Sequence, residues 1–329
     1  MNKRVLVTGA SGLVGRHLVP RLVHDGYAVR AASRYEAPFP TAKGIEMVRI
    51  SDLAPDADWR PALHGVQVVV HLAARNPRPG EPAPAQPDAY RRSNVEGTQT
   101  LFEQAAEAGV SRFVHVSSVK VHGDATVTTA PLVETDPMAP CDAYAFSKCE
   151  AEQRLQALAA ACEVELVIVR PPMVYGPNAR SHINTLARWI ARGRPLPLAA
   201  ITANRRSLVG IDNLTSFLAT AVAHPAAAHE TFFVADGQDV STAELVARLG
   251  AALGRAPRNL PLPPQGLAML ARLLGKQSHW QRLVSSLAVD ISKAKTRLGW
   301  SPPVTLDEGF RRLDPGFEQR TDTSTAWST

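Results

Sequence analysis

A chain of 329 residues with 45% hydrophobic and 20% charged residues has the make-up of an ordinary globular protein and can bury a large core, which excludes a disordered or fibrous chain. Its net charge of +6 favours anionic ligands or simply aids solubility, and the cations are scattered rather than striped along one helix, which argues against nucleic acid as a partner. No apolar run is long enough to span a bilayer, Cys141, Cys149 and Cys162 form no CxxC pair, and the Met1-Asn2-Lys3-Arg4 start carries no secretory signal, so a cytoplasmic protein with reduced thiols is expected.

Val5-Leu6-Val7 predicts a short buried strand and Leu13 to Asp25 a helix. Between them Gly9, Gly12 and Gly15 stand in a GxxGxxG spacing. Gly9 permits the tight turn, Gly12 lets the backbone approach a pyrophosphate, and Gly15 lets helix and strand pack closely. The helix N-terminus, with Ser11, Leu13 and Val14 around it, offers N–H donors and partial positive charge to the phosphates. Glycine spacing alone is a weak signal; the strand–turn–helix setting makes it a dinucleotide site.

The second strand, Ala28 to Ala32, ends in Ser33-Arg34, where an NAD-binding chain would place an acid for the ribose 2′-hydroxyl. Arg34 could pair with a 2′-phosphate and Ser33 hydrogen-bond it, which tilts the expectation from NAD(H) toward NADP(H). The alternative is an Arg34 turned to solvent or stacked on adenine. Met47 to Ile50 predicts a third strand, followed by Asp52-Leu53, placed to meet the adenine. Val66 to Leu72 predicts a fully buried fourth strand; Leu72, Ala73 and Ala74 at its end leave room beside a cofactor. Arg75 to Asp88 is a proline-rich loop, Ala89 to Ala108 a long helix, and Arg112 to Ser117 the fifth strand.

Tyr144 and Lys148 form a YxxxK motif near the start of a helix over 142–161, a spacing that sets phenol and ammonium on one face. A free tyrosine, with a pKa near ~10, is a poor base; a neighbouring ammonium and a nicotinamide cation would favour its phenolate. Lys148 can also bind the nicotinamide ribose. Ser117 and Ser118 end the fifth strand, 26 positions before Tyr144 in the case of Ser118. Ser118, just past the strand, is the candidate to hold the substrate oxygen that Tyr144 deprotonates, and Ser117 a structural hydrogen-bonder.

A strand over Glu165 to Val169 completes an alternating pattern that predicts an α/β fold, a doubly wound parallel Rossmann sheet. Past Pro171 the pattern loosens into short helices punctuated by prolines. The expected division is a dinucleotide domain over 1–170, with 206–235 returning to it, a smaller substrate domain over 171–318, and a frayed tail over 319–329. Gly266 to Leu274 is apolar but short and interrupted by Arg272; it reads as a packed helix, with contact at a membrane surface as the alternative.

The chain resembles the extended short-chain dehydrogenase/reductase family, in its nucleotide-sugar epimerase/dehydratase branch. The marks are TGASGLVG at 8–15, HLAA at 71–74, NVEGT at 94–98, VSSVKVHG at 116–123, YAFSK at 144–148, RPPMVYGP at 170–177, RRSLVGIDNL at 205–214 and DISKAKTRLGW at 290–300. The resemblance implies Ser118, Tyr144 and Lys148 as catalytic residues, Asn94 as the brace of the active-site helix, Pro171 as the start of the loop against the nicotinamide, and Arg206 as the arginine that grips a nucleotide-sugar diphosphate. Lys120, Met173 and Asn184 are further candidates for the substrate side; Asn178 and His182 are as readily surface. The sequence departs from the pattern at His122, where a tyrosine is usual, at Lys120 and Met173, and at Ser33 in place of an acid. The resemblance implies C4 epimerisation of a UDP-hexose or UDP-N-acetylhexosamine through a 4-keto intermediate, in a homodimer. The alternatives are an NADPH-dependent reductase of a 4-keto nucleotide sugar and a catalytically silent dinucleotide-binding regulator.

Overall fold

A computed structural model describes residues 3–34, 44–77, 87–126, 130–179 and 181–313. The strands are β1 (Arg4–Thr8), β2 (Ala28–Ser33), β3 (Ile45–Arg49), β4 (Val68–His71), β5 (Arg112–Val116), β6 (Glu165–Arg170), β7 (Met173–Tyr175), β8 (Leu208–Gly210) and β9 (Thr231–Phe233). The helices are α1 (Leu13–His24), α2 (Arg60–Leu63), α3 (Pro87–Tyr90), α4 (Thr98–Glu107), α5 (Ala143–Ala159), α6 (His182–Ala191), α7 (Ile211–Ala223), α8 (Thr242–Ala252), α9 (Pro264–Leu273), α10 (Gln277–Val284), α11 (Ser292–Leu298) and α12 (Leu306–Arg311).

Seven strands form one sheet in the order β3-β2-β1-β4-β5-β6-β9, and every neighbouring pair runs parallel. The apolar runs that predicted two-sided burial are buried on both faces. Leu18, Val19 and Leu22 of α1 pack with Leu214, Phe217 and Leu218 of α7 against one face. Leu101 and Phe102 of α4 and Leu155 of α5 pack with Trp59 against the other. The register sets Thr8 beside His71 and His71 beside His115, so the ends of the central strands line up at one edge. In a parallel sheet that carboxyl edge is where ligands bind.

Two sequence expectations are corrected. The long helix over 89–108 is interrupted: Arg91–Gly97 is a π-helix between α3 and α4. At Gly97 an added Cβ would meet Leu53 and Ala54 backbone atoms at 2.8 Å, so the widened turn lies directly on the segment after β3. The apolar 266–274 segment forms α9, which packs on α10 along one side only and buries no residue fully, rather than the packed helix expected. The tail over 319–329 and much of the 75–88 loop lie outside the described residues.

A third core gathers Tyr175, Ile183, Ile190, Leu196, Val246, Leu249, Leu306 and Phe310. It is tied to the sheet by the buried carboxylate of Asp236. That group accepts hydrogen bonds from the Tyr175 hydroxyl at 2.7 Å, the Gly210 amide at 2.8 Å and Asn213 Nδ2 at 2.7 Å. Asn213 in turn bonds both backbone groups of Val304. The RRSLVGIDNL mark is thus largely a clamp joining β7, β8 and α7 to the C-terminal residues.

Candidate active site

The turn after β1 is built for close approach. Gly9 holds a φ of +66°, and a Cβ there would stand 2.8 Å from the Ala73 amide nitrogen. At Gly15 a Cβ would lie 2.5 Å from the Ala10 carbonyl oxygen, so helix and turn pack too tightly for any side chain. Helix α1 begins at Gly12 with no side-chain cap and no acid in its first turn, which leaves its N–H groups and positive pole to an anion. Leu13 and Val14 form that first turn. Thr8 fixes the turn against β4: its hydroxyl pairs with His71 Nδ1 at 2.7 Å and accepts from the Ala73 amide at 3.2 Å. His71 Nε2 meets the Thr98 hydroxyl at 2.9 Å. Burial drives the His71 imidazole down to about 3, so it stays neutral at physiological pH.

At the end of β2, the buried Ser33 hydroxyl donates to Ser11 at 2.8 Å. Arg34 pairs with Asp52 at 3.1 Å, both well exposed, and Asp52 also accepts from the Leu53 amide at 2.9 Å. The arginine and the acid predicted to meet the nucleotide separately therefore meet one another across the ends of β2 and β3. Such an exposed pair contributes little stability, which keeps both groups available to a ligand.

The residues expected to transfer the proton stand at the end of β5. Ser118 caps the 3₁₀ turn Val119–His122 and accepts from the Lys120 amide at 3.2 Å. Tyr144 lies on the first turn of α5, whose start is fixed by Asp142 accepting from the Ala145 amide at 2.8 Å. Burial pushes the Tyr144 phenol up to about 12, while the facing Ser118 hydroxyl favours ionisation. Burial draws the Lys148 ammonium down to about 8, opposed by Glu152. Lys148 does not act on the phenol directly here; its Nζ donates to the Val116 carbonyl at 2.7 Å. Beside it the Ser117 hydroxyl is buried without a partner among the described residues, so its structural role is not filled by protein atoms. The uncapped helix, the glycine cradle and these buried donors all fit a bound dinucleotide.

Asn94 sits on the π-helix and reaches α5. Its Nδ2 donates to the Ser147 hydroxyl at 2.9 Å and the Arg75 carbonyl at 3.0 Å, and its Oδ1 accepts from the Arg75 amide at 2.7 Å. Ser147 passes the contact on to the Tyr144 carbonyl at 2.8 Å. The extra residue of a π turn re-aims a side chain, a device common at functional sites. Sequence reasoning missed Tyr90, whose ring packs edge-on against Tyr144 with centroids 6.2 Å apart, and the relay through Ser147. The NVEGT and YAFSK motifs were the only signal.

The substrate-side candidates are scattered in role. Lys120 forms ion pairs with Asp142 and, at 3.1 Å, with Asp124; burial opposes its charge, but the two acids keep its ammonium firmly protonated. Arg206 Nη1 donates to the carbonyls of Arg282 and Ser285, while Nε and Nη2 make no hydrogen bond among the described residues. Met173 opens β7 and packs on the third core. Asn184 has its amide committed to the Gly176 carbonyl at 2.8 Å and to Ser181 at 2.7 Å, and Asn178 is a left-handed turn residue. Pro171 is buried, and its carbonyl accepts from Val119 at 3.0 Å. His122 is buried where a tyrosine was expected. Arg170 donates to its Nε2 at 2.9 Å, its Nδ1 faces the Pro137 carbonyl, and Arg170 is itself fastened to the fully buried Glu152. His122 thus belongs to the support behind the site.

Residues 5–235 match the NAD dependent epimerase/dehydratase family. The chain is 40% identical over 324 residues to a UDP-glucose 4-epimerase of Vibrio cholerae, covering 97% of each. It is 31% identical to a 2-alkyl-3-oxoalkanoate reductase of Stenotrophomonas maltophilia, covering 94% of this chain and 98% of that one. Among solved structures it is similar to MoeE5 in complex with UDP-glucuronic acid and NAD, with a TM-score of 0.76, 27% identity, and 97% and 99% of the two chains covered.

Proposed function

The chain belongs to the NAD-dependent epimerase/dehydratase family, and from that premise we propose that it inverts C4 of a UDP-hexose or UDP-N-acetylhexosamine through a 4-keto intermediate. The observation that carries this reading is the Ser118–Tyr144 pair at the end of β5, with Lys148 one helical turn below, on a glycine turn shaped for a dinucleotide. In this reading residues 1–170 and 206–235 carry the dinucleotide, and 171–318 the sugar nucleotide.

Gly9, Ser11, Gly12, Leu13, Val14 and Gly15 would hold the pyrophosphate; Ser33, Arg34, Asp52 and Leu53 the adenosine; Leu72, Ala73, Ala74, Asn94, Ser117, Lys148 and Pro171 the nicotinamide half. When bound, the oxidised dinucleotide supplies a reversible hydride acceptor. Ser118 holds the C4 oxygen while the Tyr144 phenolate takes its proton, and the same phenol returns a proton once the 4-keto sugar has presented its other face. Arg206, through Nε and Nη2, and Lys120 offer cations to the diphosphate. A cofactor that must be regenerated within each cycle suits NAD, and the Arg34–Asp52 pair sets a carboxylate at the adenosine end; Ser33-Arg34 supports NADP instead. We take NAD as the cofactor. A homodimer through α4 and α5, with Phe146 exposed on α5, belongs to the same reading.

The test is incubation with UDP-glucose and UDP-N-acetylglucosamine without added cofactor, with products read by NMR. Appearance of the galacto epimer is expected. No epimer, together with NADPH consumption on a 4-keto nucleotide sugar, transfers the chain to the reductase reading, for which the similarity to a reductase is the specific support.

A further inference from the structure

Helix α9 presents its apolar side to solvent. Met269 is 66% exposed, Leu270 51%, Leu273 76% and Leu274 60%. Met269 with Leu273, and Leu270 with Leu274, are i, i+4 pairs, so the four form one continuous stripe. The opposite side, with Leu267, Ala268 and Ala271, is half-buried where α9 packs on α10. Of the eleven large apolar side chains exposed among the described residues, seven lie between Leu260 and Leu283. A patch of that kind marks an interaction surface rather than ordinary surface.

Along the chain on either side of the stripe the charge is of one sign. Between Glu244 and Asp290 the sequence holds no carboxylate, while Arg255, Arg258, Arg272, Lys276 and Arg282 all fall within that stretch. This decides what can cover the stripe. A second copy of the chain, meeting it about a twofold axis, would set the same cations against each other. An anionic lipid surface satisfies the leucines and the cations together. At ten residues α9 is about 15 Å long, far too short to cross a bilayer, but suited to lie in the headgroup layer.

We propose that the α9–α10 corner docks the protein on an anionic membrane surface, with Met269, Leu270, Leu273 and Leu274 entering the acyl boundary and Arg272 and Lys276 meeting the lipid phosphates. The surface adjoins the substrate side of the site, since Arg206 holds the Arg282 and Ser285 carbonyls at the end of α10. The proposal is independent of the reaction catalysed.

The experiment is co-sedimentation of the full chain with vesicles of mixed phosphatidylglycerol and phosphatidylcholine, and with phosphatidylcholine alone. The wild type should pellet with the anionic vesicles and release as salt is raised. The triple variant Leu270→Gln, Leu273→Gln, Leu274→Gln should partition at least about tenfold more weakly, with its far-UV circular dichroism and thermal melt retained. If that variant melts early, Arg272→Gln with Lys276→Gln is used instead, and should weaken binding to the anionic vesicles alone. No pelleting, equal pelleting on neutral vesicles, or equal pelleting of wild type and variants overturns the proposal. A solution mass that doubles only while the leucines are present, without vesicle binding, assigns the stripe to a second copy instead.

Discussion

The two sides of the proposed active site are held by different means. On the dinucleotide side, long-range bonds such as Thr8–His71 join the strands, but the key conformations are set by local devices: a glycine that nothing larger can replace, the Asp142 cap on α5, the i, i+4 spacing of Tyr144 and Lys148. On the sugar side the two candidate cations are fixed by more distant partners, Arg206 by Ser285 and Lys120 by Asp142, and the adjoining clamp joins Asn213 to Asp236 and Val304. A locally fixed side can keep one geometry through changes in the rest of the chain. A side fixed at long range can be re-tuned by substitutions far from the sugar, which is how one scaffold serves several substrates.

The sharpest break of this contrast removes the phenol. Tyr144→Phe keeps the ring that packs on Tyr90 and deletes only the proton carrier. Turnover should fall by ~10²–10⁴, with dinucleotide affinity unchanged in a titration. Near-normal turnover in a folded Tyr144→Phe protein would place the acid–base group elsewhere.

Arg206→Ala tests the long-range side. It removes the anchor on the Ser285 carbonyl and the two nitrogens offered to a diphosphate. One charge-assisted contact is worth about 1.5–3 kcal/mol, so calorimetry with UDP should show affinity weakened about ten- to a hundredfold, and dinucleotide affinity untouched. Unchanged UDP affinity rejects Arg206 as a diphosphate ligand and leaves it as the tether of α10.

How much of this could be read from the chain follows the same division. The individual strands of the parallel sheet, the glycine turn, and the separate motifs around Ser118 and over Tyr144–Lys148 were legible because each is written in a run of fewer than ten residues. The π-helix was not, because an extra residue per turn leaves no period that differs from an ordinary helix over so short a span. Nor was the Arg34–Asp52 pair, which depends on the β2–β3 register. Helix α9 was misread because periodicity tells which residues share a face, not whether that face is covered.

Arg34→Ala probes a smaller effect, at the rim of the dinucleotide side. If Arg34 reads a 2′-phosphate, NADP(H) should weaken about tenfold or more while NAD(H) changes little. If the pair with Asp52 serves mainly to shape the adenosine end, both should weaken alike by a fewfold, since the pair is exposed. Titration of each nucleotide separates the two.

The smallest expected effect lies at His115, the one imidazole on the dinucleotide side that breaks its rule. Its ring stacks on that of His71 with centroids 5.6 Å apart. His71 has a hydroxyl at each nitrogen, whereas neither nitrogen of His115 has a hydrogen-bond partner among the described residues, and the residue is wholly buried. A neutral imidazole carries one N–H, and leaving such a donor unmet in the interior costs about 1–3 kcal/mol. His115→Leu removes that cost and keeps most of the volume, so after loss of the stacking it should stabilise the fold by about 1 kcal/mol at neutral pH. The pH dependence has a definite sign. Burial holds the His115 imidazole well below its ordinary value, with Lys148 and His71 adding to the effect. In the unfolded chain both histidines protonate near ~6.5. Above that pH neither state binds the proton and nothing is lost. As the pH falls from about 6 to about 4, the unfolded chain takes up protons that the folded one refuses, and stability drops by about 1.4 kcal/mol per pH unit for each histidine. Urea unfolding across that range should therefore show a shallower loss for His115→Leu, by one histidine's share. A variant less stable at neutral pH, with the acid slope unchanged, would show that His115 has a partner after all, in the form of a trapped water.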